Sequence, residues 1–150
     1  MIKILRTNSE NRDFRELVKL LDAELSIIDG EDHPFYSQFN NIDTIKHVVV
    51  IYEDDEPIGC GALKEHQPAV MEIKRMYVSA KKRKRGIATM ILTELEKWAV
   101  EMSYRKCILE TGIRQPEAIG LYRKNGYSNI PNYEQYVGIE NSVCFEKEFK

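Results

Sequence analysis

Residues 71–92 read MEIKRMYVSAKKRKRGIATMIL: an apolar run broken by three charged residues, a basic block, one glycine, then apolar residues at helical spacing. The run predicts a strand over 70–79. Ile87, Ala88, Ile91, Leu92, Leu95, Trp98, Ala99 and Met102 make one stripe at intervals of three and four, which predicts a helix over 87–102. The start of a helix carries unpaired backbone N–H groups and the positive end of the macrodipole, so this junction is a ready seat for an anion. Gly86 and Ala88 let a phosphate approach the main chain, and Lys81, Lys82, Arg83, Lys84 and Arg85 add charge at the same point. The same block also reads as a solvated basic loop or a localisation-type tract. The Walker spacing is absent, and only Gly86 of the three glycines of a dinucleotide fingerprint is present.

Outward from this junction, 47–52 (HVVVIY) is a continuous β-branched run expected to be a buried strand, and 58–63 returns as its hairpin partner. Upstream, 2–6 alternates like a short strand. Thr7, Asn8 and Ser9 offer helix caps, Phe14, Leu17, Val18, Leu21 and Leu25 follow at helical spacing, and Asp29-Gly30 ends that helix. Residues 33–41 read as a loop or a short second helix. Downstream come a strand over 106–109, a helix over 117–124 ended by Asn125-Gly126, and a strand over 143–149. The order β-α-(α)-β-β-β-α-β-α-β, without repeat or linker, predicts one α/β domain over 1–150 with helices on both faces of a mixed sheet.

Composition narrows the function classes. The chain of 150 residues is 43% hydrophobic and 31% charged, the range of a folded domain with its own core. A formal net charge of -2 argues against a general nucleic-acid binder, and the KKRKR run lacks interleaved aromatics. Three widely spaced cysteines, Cys60, Cys107 and Cys144, fit neither a disulfide framework nor a zinc site. No stretch approaches the roughly 20 apolar residues of a membrane span, so a cytoplasmic protein without metal is the expectation.

Arg83-Lys84-Arg85-Gly86-Ile87-Ala88 resembles the Arg/Gln-x-x-Gly-x-Gly/Ala signature of the GNAT superfamily of acyl-CoA-dependent N-acetyltransferases. The preceding MYVSA stands where that family has its fourth strand. Residues 117–127 (EAIGLYRKNGY) are similar to its Ala-x-x-Leu-Tyr-x-x-x-Gly-Phe/Tyr segment. Two departures stand out: Lys84 where many members have glycine, and Gln115 where asparagine is common. The resemblance implies a GNAT fold, a mixed, mostly antiparallel sheet of six to seven strands flanked by about four helices. It also implies acetyl-CoA as co-substrate.

Carried onto this sequence, the resemblance assigns the main chain of Met76 and Val78 to the pantetheine arm. It assigns Arg83, Lys84, Arg85, Gly86, Ile87 and Ala88, extending to Thr89, to the pyrophosphate. Tyr122 resembles the family's acid for the departing sulfur; a tyrosine on a short amphipathic helix is also an ordinary core residue. Glu72 interrupts the apolar strand and is the candidate base. Period-two alternation puts it on one face with Lys74 and Met76, where it also reads as the partner of Lys74 in a structural ion pair. The acceptor site is expected in 29–40 and 130–136, with His33, Phe35 and Tyr133 as contacts. A small primary amine is the expected acceptor. A protein lysine or N-terminus, or a non-catalytic acyl-CoA-binding role, are the alternatives. The family's habits also allow a homodimer.

Overall fold

The computed structural model describes residues 1–38, 41–42 and 44–149. β1 (Ile2–Thr7), β2 (His47–Glu53), β3 (Glu56–Gln67) and β4 (Val70–Val78) form an antiparallel meander. β4 then meets β5 (Lys106–Gly112) in parallel, and β6 (Ser128–Ile130) and β7 (Ser142–Glu148) complete the order β1-β2-β3-β4-β5-β7-β6. The helices are α1 (Arg12–Asp29), the five-residue α2 (His33–Ser37), α3 (Ile87–Glu101) and α4 (Pro116–Lys124). This is the α/β architecture read from the sequence, a mostly antiparallel sheet of seven strands with four helices.

The continuous apolar run of β2 is explained by burial on both faces. Val48 and Val50 pack with Phe14, Leu17 and Val18 of α1, whereas Val49 and Ile51 join Ile91, Leu92 and Leu95 of α3. The two glycines of β3 let α3 lie close to the sheet: a Cβ on Gly61 would come within 2.7 Å of both Ile91 Cγ2 and Met76 Sδ. Two expectations need correction. The cap of α1 is not in 7–9 but at Asn11, whose side chain accepts from Phe14 N at 2.9 Å, because Asn8 instead turns back on Glu10 N. β6 was not foreseen at all; at three residues it is too short to show a period.

β4 also departs from simple alternation. It sets two residues, Arg75 and Met76, opposite the single Gly61 of β3, and Arg75 takes a left-handed φ of 57°. This is a β-bulge, which bends the strand. Glu72 and Lys74 therefore share the α1 face, but Met76 does not join them as period-two reading predicts. It turns to the α3 face and packs on that core beside Gly61. Arg75, extra in the count, lies on the α1 side with its side chain 3% exposed and ion-paired to Asp22 of α1.

Candidate active site

β4 and β5 stay together for three pairs only: Val70 with Lys106, Met71 with Cys107, and Glu72 with Ile108. Beyond them β5 continues against β7 and β4 against β3, so the facing edges separate. The space between them opens into a cavity of about 1040 Å³ that runs from the start of α3 to the ends of α1 and α2. Past Glu72, the edge of β4 that faces β5 carries main-chain groups with no strand partner. Such an edge accepts an extended ligand by strand addition.

At one end, Arg83, Lys84, Gly86, Ile87, Ala88 and Thr89 line the cavity. Gly86 precedes α3 with a φ of 82°, and no side chain caps the helix, so its first N–H groups are left for a ligand. Lys84 has a φ of 65°, the left-handed region where glycine is favoured, which accounts for the glycine expected at that position. The basic block divides. Arg83 is drawn back to the strand, donating to Val78 O at 2.8 Å and to Glu24 at 2.7 Å while lying over the Tyr77 ring. Arg85 and Lys82 converge on Glu53 of β2, and their hydrogen bonds hold that carboxyl down at about 2. Arg85 is thus directed to β2 and not to the cavity, although Lys82 lines both.

In the middle stand Met76 and Val78 on the open edge of β4 and Tyr122 on α4, all lining the cavity. Tyr122 is buried against Tyr127 and Phe145, and its hydroxyl takes no hydrogen-bond partner among the described residues. Burial, with the Glu110 carboxylate adding to it, pushes the phenol above its ordinary range, so it keeps its proton at neutral pH.

The other end collects polar side chains from separate elements. Glu72 is buried and partnered: Tyr133 donates to it at 2.7 Å, and Lys74 lies 3.7 Å away. Asp29 ends α1, and burial raises its carboxyl above the usual range while His33 and Arg114 pull the other way. Glu110 on β5 is pushed up to about 7, chiefly by burial. Tyr36 and Tyr136 also line this end. Of the predicted acceptor contacts, Tyr133 reaches the site through Glu72, while His33 and Phe35 are not part of the cavity lining, where α2 contributes Tyr36. Phe39 and Asn40, in the predicted segment 29–40, lie outside the described residues. Sequence reasoning missed Glu110 because the apolar pattern of its strand stops at Leu109 while the ladder with β7 runs on to Gly112. It missed Arg75 because nothing in VMEIKRMYV marks a bulge.

A strand pair parts over an uncapped helix start, with a buried tyrosine at the join, the arrangement that the resemblance to acyl-CoA-dependent transferases implies. The pattern of the Acetyltransferase (GNAT) family matches residues 14–127, and the chain belongs to that family. It is similar to the uncharacterised N-acetyltransferase YsnE of Bacillus subtilis (strain 168), at 34% identity over 65% of this chain and 66% of that protein. The chain spans 66%, 39% and 60% of the length of three curated relatives it matches. Among solved structures, a Klebsiella pneumoniae protein provisionally described as an acyl-CoA N-acyltransferase superposes with a TM-score of 0.83 at 26% identity, covering 99% of this chain and 97% of its own. The PaiA N-acetyltransferase of Thermoplasma acidophilum, solved with coenzyme A, has the same fold, with a TM-score of 0.75, 17% identity and 99% of both chains covered. No helix among the described residues is long and apolar enough to cross a membrane.

Proposed function

We propose that this chain is an acetyl-CoA-dependent N-acetyltransferase that works on a small primary amine in a ternary complex. The observation that carries the reading is the parting of β4 from β5 beside the uncapped start of α3, a cleft with main-chain donors along one wall and at one end. The residues present fit coenzyme A. N–H groups from 83–88 and the positive end of α3 suit a pyrophosphate, and the edge of β4 at Met76 and Val78, which no strand pairs although Arg83 donates to Val78 O, suits the amide-bearing pantetheine arm. Arg83, Lys84, Arg85 and Thr89 complete the proposed contacts, with Arg85 the weakest of them because Glu53 holds it. When bound, acetyl-CoA supplies an activated acyl group.

The chain's own residues supply the rest. The Met76 N–H, on the unpaired edge, is placed to donate to a carbonyl oxygen as negative charge develops there. Tyr122, kept protonated by burial, donates its proton to the departing sulfur. Glu72 lies on the acceptor side of the strand, where the Tyr133 hydroxyl and Lys74 fix the position of its carboxyl to orient the incoming ammonium. No metal enters this scheme. Calorimetric titration with acetyl-CoA and assay of thiol release with a panel of primary amines test the reading. The expected results are one-to-one binding and turnover; absence of both in folded protein would overturn it.

A further inference from the structure

We propose that Glu110 is the catalytic base, the group at the parting of β4 and β5 that takes a proton from the acceptor's ammonium. The inference rests on the acetyltransferase reading above and deepens it, since the base expected from the sequence was Glu72.

The placement comes first. Ile108 is the last residue of β5 to pair with β4, and Glu110 is the next residue on the same face of the strand. Cys107 and Leu109 alternate with it into the α3 core, so Glu110 lies on the acceptor side with Glu72 and Lys74. It lines the cavity that Tyr122 and Met76 line from the other side of the join. An amine reaching into the gap between the strands meets Glu110 at its edge.

The partners come second. Glu72 is committed to Tyr133 and Lys74, so a proton placed on it would disrupt a hydrogen bond and an ion pair. Glu110 has no ion pair within 4.0 Å among the described residues; its hydrogen bond comes from the hydroxyl of Ser142, which lies 2.9 Å from the Tyr36 hydroxyl. The charged and titratable groups around it are Asp29 of α1, Glu72 and Lys74 of β4, Tyr36 of α2, Tyr122 of α4, Tyr136 of the turn before β7 and Cys144, its cross-strand partner on β7. Burial and the carboxylates of Asp29 and Glu72 raise its affinity for a proton, with Lys74 and Ser142 opposing, and the balance falls at about 7. That is the range in which a general base is most effective at neutral pH.

The proton count closes. The ammonium gives one proton to Glu110 and becomes a neutral amine. Formation of the C–N bond and rupture of the C–S bond then leave a second proton on nitrogen, while the sulfur departs with the bonding electron pair. Tyr122 gives its proton to that sulfur, and the nitrogen's second proton restores the phenol. The proton on Glu110 leaves to solvent.

The test compares wild type, Glu110→Gln and Glu72→Gln, full chain, with acetyl-CoA and primary alkylamines from pH 6 to 10. Below its folded value Glu110 is protonated and cannot accept, so wild-type kcat/KM rises through about pH 7. Glu110→Gln is expected to lose about 100-fold near pH 7.5 and to lose that inflection. The deficit should shrink as alkali supplies neutral amine from solution, and calorimetric affinity for acetyl-CoA should be unchanged. Glu72→Gln is expected to retain an inflection, moved to lower pH because the Glu72 charge no longer raises Glu110, and to raise KM. Wild-type turnover with Glu110→Gln retaining rate and inflection would overturn the assignment and leave the acetyltransferase reading standing. Failure of wild type to bind acetyl-CoA or acetylate any amine would overturn both. Carbon-13 NMR of the assigned Glu110 carboxyl in wild type covers a variant that does not fold: titration near neutrality supports the proposal, and titration only in the ordinary carboxylate range overturns it.

Discussion

At one end of the cavity, Arg83, Lys84 and the four residues from Gly86 to Thr89, all from one short segment, line the space beside α3. At the other, Asp29, Tyr36, Glu72, Glu110 and Tyr136 arrive from five separate segments. The first end offers main-chain N–H groups, which any sequence of the right conformation provides, so its requirements are glycine, small side chains and a helix to follow. The second offers side-chain charge, so its character is set by which residues the fold brings together. A ligand common to a whole family belongs at the first kind of end, and a ligand particular to one member at the second.

Four substitutions break or sharpen that contrast, taken from the largest expected effect. Tyr122→Phe, at the join, is expected to lower kcat about 100-fold with acetyl-CoA affinity unchanged; thiol-release kinetics beside calorimetry check this, and an unaltered kcat would reduce Tyr122 to a packing residue. Arg75→Ala removes the ion pair that ties α1 to the bulge. Because Asp22 is 45% exposed and can return to water, the expected loss is about 2 kcal/mol by urea unfolding, below the usual cost for a fully buried pair. Tyr133→Phe takes one donor from Glu72, and about 1 kcal/mol is expected as a roughly fivefold rise in the amine's KM. A matching change in acetyl-CoA affinity would show that the two ends are not separate. Lys84→Gly relieves a left-handed lysine but frees the unfolded chain, for a net gain of about 0.5 kcal/mol in stability with the cofactor end intact.

The same contrast explains what could be read from the sequence. Most strands and the α3 stripe were readable because each is local, fixed by a period within a few residues, and Gly86 marked the turn into α3; the three-residue β6 has no period to show. Tyr122 stood out only through a second motif in register with the first, and the structure places it on the cavity wall. The acceptor end was hardly readable, because Asp29 and Glu110 lie 81 positions apart and meet only through the sheet order. Glu72 was noticed as a charge in an apolar strand, and Glu110 was overlooked because it sits where the apolar pattern had already ended. Met76 was put on the wrong face because alternation was carried through a bulge that leaves no composition signal.

The bulge amounts to one residue in the count of the strand. Strike Arg75 from the count and every other residue of β4 keeps its present face: Glu72, Lys74 and Tyr77 toward α1, Ile73, Met76 and Val78 toward α3. What would vanish is the bend that the extra residue gives the strand. Measured in codons, an ordinary sheet strand and one that turns away from its neighbour differ here by a single triplet. Insertion, not substitution, is the kind of change that opens a sheet while leaving both of its cores undisturbed.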